Sequence, residues 1–298
     1  MEKETTTEQR QWVGTTYGNG WMHKYLILIL RHLDPRVLYL FVAIFVIPVS
    51  LCLNRSRKTA YYFYHEVLKY GAIKSAWLTY CNHCQFSQVV IDRFAMYAGR
   101  HMDVAVDGFD KFLDLSAKEP GFVHLSSHIG NYELAGYTLV SESKTFHALV
   151  FAGEKESVMQ NRNNMFGKNN ISMILSKPDM SHLFEIDKAL SEGNIVSLPA
   201  DRNNGSARSI ECTFLGKTAK FPQGPFQVAA MRGIDVLAVN VMKESLMKYH
   251  IYITPLNYDK EAPRKVQLRQ LADGYVAELE KRIRQYPTQW YNFFDFWA

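Results

Sequence analysis

Residues 122–140 read FVHLSSHIGNYELAGYTLV, and this stretch decides the fold. Phe122–Ser126 is a short, mostly apolar run of the kind that forms a buried strand. Gly130 marks a sharp turn, and Asn131–Val140 then reads as a helix. Strand, tight turn and helix in that order open a βαβ unit. Working outward, further β-rich runs appear at Phe146–Phe151, Ile171–Leu175, Ile195–Leu198, Val236–Val241 and His250–Ile253. Amphipathic stretches near Ser157–Phe166, His182–Ser191 and Pro225–Met231 alternate with them, and a long helix is expected over Val266–Gln285. The alternation predicts an α/β fold, a mostly parallel mixed sheet flanked by helices.

Upstream the pattern changes. Residues 61–100 have helical periodicity, and residues 37–53, VLYLFVAIFVIPVSLCL, carry no charge. That run is at the short end of what crosses a bilayer's hydrocarbon core, and Pro48 would kink it. It reads as a spanning helix, a kinked hairpin dipping into one leaflet, or a buried core helix. The flanking Lys24, Arg31, Arg36, Arg55, Arg57 and Lys58 favour contact with anionic headgroups. The run starts too late, and after too many acidic residues, for a cleaved signal peptide. The expected organisation is a membrane-anchoring segment over 1–58 and a catalytic domain over 59–298.

Composition bounds the function. The chain has 298 residues, 47% of them hydrophobic and 21% charged, which excludes a disordered or fibrous protein. Lys and Arg total 34 against 29 Asp and Glu, a net +5 without a basic stripe, so no nucleic-acid partner is expected. Four cysteines are too few for a disulfide framework. Cys81 and Cys84, with His83 between them, have zinc-like spacing, but no second ligand pair follows. Asp201-x-Asn203 lacks the glycine that a calcium loop needs. No metal or cofactor is expected.

In an open α/β sheet the active site lies beyond the carboxyl ends of the strands. The residues placed there include His128 and Asp201. Histidine suits proton transfer near neutral pH, and a carboxylate on its second ring nitrogen fixes the tautomer. Glu133 follows five residues after His128. On one continuous helix that separation leaves the side chains about 140° apart. They meet only if His128 lies in the turn and Glu133 in the first helical turn. An ordinary N-terminal helix carboxylate beside an unrelated histidine fits the spacing equally well. Downstream, Asp201-Arg-Asn-Asn-Gly ends a strand in turn-forming residues. Gly216 is expected in a hairpin turn, and Gly224-Pro225 starts a helix whose N-terminus, with Lys217 and Lys220 near, suits an anion.

The SSHIGNYELAG and LPADR stretches, the FLGK–FPQGP segment and the closing Tyr286-Pro-Thr-Gln-Trp290 together resemble the late, lauroyl- and myristoyl-type acyltransferases of lipid A biosynthesis, within the lysophospholipid acyltransferase superfamily. The resemblance runs from the N-terminal anchor to the last turn. It implies a direct transfer in which His128 is general base on an acceptor hydroxyl, Glu133 orients it, and the oxygen attacks an acyl thioester. Arg162 is similar to the family's active-site arginine and would stabilise the oxyanion, and Asp201 matches its acidic residue after a strand. Gly130, Asn131, Arg202, Lys217 and Gly224 are the expected substrate-binding residues. The implied donor is an acyl chain on acyl carrier protein, with acyl-CoA the other candidate co-substrate. The implied partners are that carrier, membrane lipids and an amphiphilic acceptor. The implied location is the bacterial inner membrane, with catalysis on the cytoplasmic face.

Gln223 stands where glycerol-phosphate and lysophosphatidate acyltransferases carry Glu, which disfavours a glycerol-phosphate acceptor. The Trp12–Trp21 stretch and the CNHCQFSQVVIDR segment resemble a side branch that acylates other amphiphiles, polyene pigments and aminolipids among them. A hydrolase of acyl thioesters or lipids is a further alternative, disfavoured because no Gly-x-Ser-x-Gly elbow is present.

Overall fold

The computed structural model describes residues 20–151, 159–161, 170–177, 179–202 and 208–297. The N-terminal part is helical: α1 (Gly20–His32), α2 (Pro35–Phe41), α3 (Ile47–Leu53), α4 (Ser56–Tyr62) and the long α5 (Ala72–Tyr97). A π-helical stretch, Val42–Val46, joins α2 to α3, so the apolar run forms one helix over Pro35–Leu53. Then come β1 (Asp103–Asp107), α6 (Phe109–Ala117), β2 (Phe122–Ser126), α7 (Glu133–Thr138), β3 (Phe146–Phe151), β4 (Ile171–Ser176), α8 (His182–Ser191) and β5 (Ile195–Pro199). The hairpin β6 (Ser209–Phe214) and β7 (Lys217–Pro222) precedes α9 (Gly224–Arg232), β8 (Val236–Ser245), β9 (Lys248–Pro255) and α10 (Arg264–Gln285).

All strands but the hairpin form one mixed sheet in the order β1-β9-β8-β2-β5-β3-β4. From β8 to β4 the pairings are parallel, and β9 turns back antiparallel on β8. Every residue of β2 is buried, as expected of a strand covered on both faces. Its alternation feeds two cores. Val123 and Leu125 pack in the cluster that includes Leu271, Tyr275 and Leu279 of α10, while Phe122 packs with Phe112 and Leu139 on the other face.

The α/β reading holds, with differences of detail. β1 escaped the sequence reading because it is a five-residue edge strand, DVAVD, whose short apolar centre is closed by an Asp at each end. The helix after the turn begins at Glu133, not Asn131, because the Asn131 main-chain N–H is bound to Val241 O at 2.9 Å. Gly216 does sit in a two-residue hairpin turn, with φ +80°. Most of the expected helix Ser157–Phe166, with Arg162, and the Asn203-Asn204-Gly205 turn lie outside the described residues.

Among the described residues, Pro35–Leu53 is the one helix long and apolar enough to cross a membrane. One side of it packs against α5: Tyr80 donates to Ala43 O at 3.0 Å, and Tyr39 donates to Asp92. Leu40, Phe41, Ile44, Phe45, Val49 and Leu53 remain exposed. α1 lies against the same helix, Leu30 packing with Ile91, Phe94 and Ala95.

Asp92 is fully buried and accepts hydrogen bonds from Tyr39, from the Lys243 ammonium of β8 and from Tyr249 of β9. Burial pushes its carboxyl up, against the opposing pull of Lys243, and burial pushes the Lys243 ammonium down. Removing one member leaves the other charge buried and unpaired. Asp92→Ala is therefore expected to cost about 3–5 kcal/mol of unfolding free energy. Denaturant melts in detergent measure this, and a loss below about 1 kcal/mol would mean that water reaches the pair.

Candidate active site

Ser126 of β2 and Pro199 of β5 are register partners, so the chains leaving these parallel strands emerge side by side. Two residues further along each lie His128 and Asp201. His128 Nδ1–H donates to Asp201 Oδ1 at 2.7 Å, and the His128 main-chain N–H donates to Oδ2 at 2.8 Å. One carboxylate thus holds both the ring and the backbone of the same histidine. Ala200 N–H and the Tyr275 hydroxyl both bond to Ser126 O, at 3.0 and 2.9 Å, which locks the strand end beneath them.

The electrostatics favour the neutral ring. Burial pushes the His128 imidazole down from its ordinary value, and the nearby Arg202 and Arg93 add to this against the opposing pull of Asp201. Burial alone would raise the Asp201 carboxyl, but His128 and Arg202 together hold it below the usual range. An ionised Asp201 only accepts, so it fixes the tautomer with Nδ1 protonated and the lone pair on Nε2. The side chain of His128 is 19% exposed and that of Asp201 1%, so the ring can be reached from outside while the carboxylate is sequestered.

Glu133 has different partners from those expected. His128 does lie in the turn and Glu133 does open α7, yet the Glu133 carboxylate meets Arg93 Nε at 2.9 Å and accepts from Tyr97 at 2.5 Å and Tyr137 at 3.0 Å. The reason is tertiary. α5 runs beside the turn and supplies Arg93 and Tyr97, while β5 brings Asp201 to the histidine. The orienting carboxylate on Nδ1 is therefore Asp201, which corrects the sequence expectation. Glu133 instead partners a cation close by: Arg93 lies over the Tyr132 ring, which packs edge-on to His128 with centroids 5.2 Å apart.

Gly130 is required by its surroundings. Its φ is +53°, and a Cβ there would fall 1.8 Å from Val241 O. The turn is wedged between β8 and the C-terminal tail: Gly130 pairs with Val241, and Ile129 with Trp290. The N–H groups of His128, Gly130 and Asn131 bond to Asp201, Gln289 O and Val241 O respectively. These three amides are spoken for and form no oxyanion hole. Asn131 is fully buried, side chain included.

Arg202 stays beside His128; its Nη2 donates to Tyr291 O at 3.0 Å and its guanidinium lies 5.6 Å from the Phe294 ring centroid. Lys217 is held elsewhere, donating to the Tyr62 hydroxyl at 2.7 Å and lying over Trp297. Gly224 is exposed at the start of α9. Arg162 lies outside the described residues. The sequence reading missed Arg93, Tyr97, Tyr137 and Tyr275, which carry no local signal and gain their roles only through packing. The closing aromatics Trp290 and Tyr291 are buried, Trp290 packing on Phe63 and Phe214. Cys81 and Cys84 are free thiols that burial pushes up, the reverse of a redox pair. Among the described residues no His, Cys, Asp and Glu groups are placed to hold a metal.

No curated protein matches the sequence. Among solved structures, the 1-acyl-sn-glycerophosphate (LPA) acyltransferase PlsC from Thermotoga maritima is similar over 90% of this chain and 99% of its own, at 16% identity and a TM-score of 0.41, a likeness too slight to carry an argument. The model of the bacterial lipid A biosynthesis acyltransferase family matches residues 89–298, from within α5 through the turn and Asp201 to the aromatic tail. The chain belongs to that family and is an acyltransferase.

Proposed function

We propose that this enzyme transfers a fatty acyl chain from a thioester, carried on acyl carrier protein, to a hydroxyl of a lipid A precursor, with His128 as general base and Asp201 as its orienter. The observation that carries this reading is the partly exposed imidazole whose Nδ1 is fixed by a buried carboxylate at the carboxyl edge of β2 and β5. Nε2 takes the hydroxyl proton as the oxygen attacks the thioester carbonyl. Asp201 stabilises the imidazolium that forms, which then returns its proton to the departing thiolate. With the amides of the turn committed to the fold, side-chain cations must meet the oxyanion. Arg202 is the described candidate, and Arg162 the one implied by resemblance. The net positive charge of the chain suits an acidic carrier.

The apolar faces of α1 and Pro35–Leu53 support attachment to the inner membrane, with the catalytic edge on the cytoplasmic side. Because that helix packs along α5, whose Asn82, His83 and Asp92 are buried toward the rest of the protein, seating in one leaflet suits it better than crossing alone. Substituting Leu40 and Phe45 by Lys together places two charges on the exposed face. The folded enzyme is expected to move from the membrane pellet to the supernatant, and unchanged sedimentation would exclude this face as the anchor.

His128→Ala is expected to lower kcat about 10²–10⁴-fold. Lipid mass spectrometry of cells expressing the wild type should show a lipid A species heavier by one acyl chain, absent with the variant. A different amphiphile gaining the chain would replace the acceptor and keep the chemistry, whereas normal turnover by His128→Ala would remove the base.

The pH profile tests the electrostatics. Since burial lowers the His128 pKa, the base stays unprotonated below the ordinary imidazole value of about 6.5, and the acid limb of kcat/KM should lie below it. Asp201→Asn removes the group that raises this pKa, so the limb should move lower still while kcat falls. An upward move would contradict the assigned pairing.

A further inference from the structure

The tail residue Gln289 makes an unusual set of contacts for a side chain outside any strand. Its Oε1 accepts from the main-chain N–H of Lys243 at 2.8 Å, and its Nε2 donates to the carbonyl of the same residue at 2.6 Å. Both groups belong to β8, and the carboxamide occupies the pairing position that a neighbouring strand residue would fill. Its main-chain carbonyl simultaneously accepts the N–H of Gly130 at 2.9 Å. Gln289 thus ties β8 to the turn two residues after His128. It is buried, so each bond is made without competing water.

The segment bearing Gln289 is itself held rigidly. Asn82 of α5 donates to Thr288 O at 2.9 Å and to Trp290 O at 3.0 Å, and Tyr64 donates to Pro287 O at 3.0 Å. Thr288 donates to Gln85 at 2.6 Å. The turn therefore rests between β8 on one side, through Val241, and a braced tail on the other, through Gln289 and Trp290. Asp201 holds the imidazole ring and the His128 main-chain N–H, while this wedge holds the turn at Ile129 and Gly130 on which both rest.

We propose that Gln289 is a positioning residue for the general base: its carboxamide registers the C-terminal tail against Lys243, and so sets where His128 sits over the substrate. A general base tolerates little displacement, and a misplacement of about 1 Å costs on the order of 10²-fold in rate. Only a side chain of this length with one donor and one acceptor satisfies both groups of Lys243. Methionine keeps the length and loses both bonds, and glutamate keeps the acceptor but sets a second acceptor oxygen, charged when ionised, against the buried Lys243 carbonyl.

The proposal rests on the general-base reading of His128, and the test separates the two. Gln289→Met, Gln289→Glu, His128→Ala and Tyr258→Phe are compared in the full-length enzyme for kcat, KM and thermal stability. Tyr258 supplies the control: its hydroxyl donates to Ile234 O at 2.9 Å, ahead of β8 and remote from the turn. Gln289→Met should lower kcat by about 10–100-fold at nearly unchanged KM, with Gln289→Glu impaired at least as much. Tyr258→Phe should lose stability and keep its turnover. If His128→Ala is inactive while both Gln289 variants turn over normally, the positioning role falls and the general base stands. If His128→Ala is active, the underlying reading falls. A loss in both Gln289 variants that tracks unfolding, or that Tyr258→Phe reproduces, assigns Gln289 to stability alone and overturns the proposal.

Discussion

A carboxylate removed entirely from water must be met by several partners at once, and Asp92 is the group around which this molecule assembles. Its contacts come from the apolar N-terminal helix (Tyr39), from the middle of the sheet (Lys243) and from the antiparallel return strand (Tyr249). No pair of these elements is adjacent in sequence except β8 and β9. The cost of an isolated buried charge makes the arrangement close to all-or-none. One result is that the apolar N-terminal helix has a fixed position relative to the sheet. Another is that Lys243 is immobilised at both ends, by Asp92 through its ammonium and by Gln289 through its backbone.

The site follows from that scaffold. β8 presents Val241 to the turn, and the close passage of the two backbones admits only glycine at position 130. The three amides used to secure the turn are unavailable to substrate. On the proposed mechanism, the packing that holds His128 leaves oxyanion stabilisation to side chains. Two carboxylates near the turn have different duties because different elements reach them. Asp201 arrives on the strand beside β2 and takes the histidine, while Glu133 faces α5 and takes a cation. Arg93 and Arg202 both favour the unprotonated ring, the form in which it can accept a proton.

The sequence by itself determined the alternation of strands and helices, the buried β2, the apolar N-terminal run, and the placing of His128 and Asp201 beyond strand ends. These depend on local period and on turn residues, which adjacent positions encode. It did not reveal β1, whose apolar pattern is only three residues long between two aspartates, nor that α7 starts late because the Asn131 amide bonds to β8. The partner of His128 was decided by tertiary structure alone. Glu133 is near in sequence and suits the spacing, but Asp201, far along the chain, is near in space because β2 and β5 pair in register. Hydrogen bonds of this kind depend on which strands become neighbours, and that is settled by burial of the whole sheet. Gln289 shows the same limit: its motif was visible in the closing residues, but its bonds to Lys243 and Gly130 exist only once the tail is folded back onto the turn.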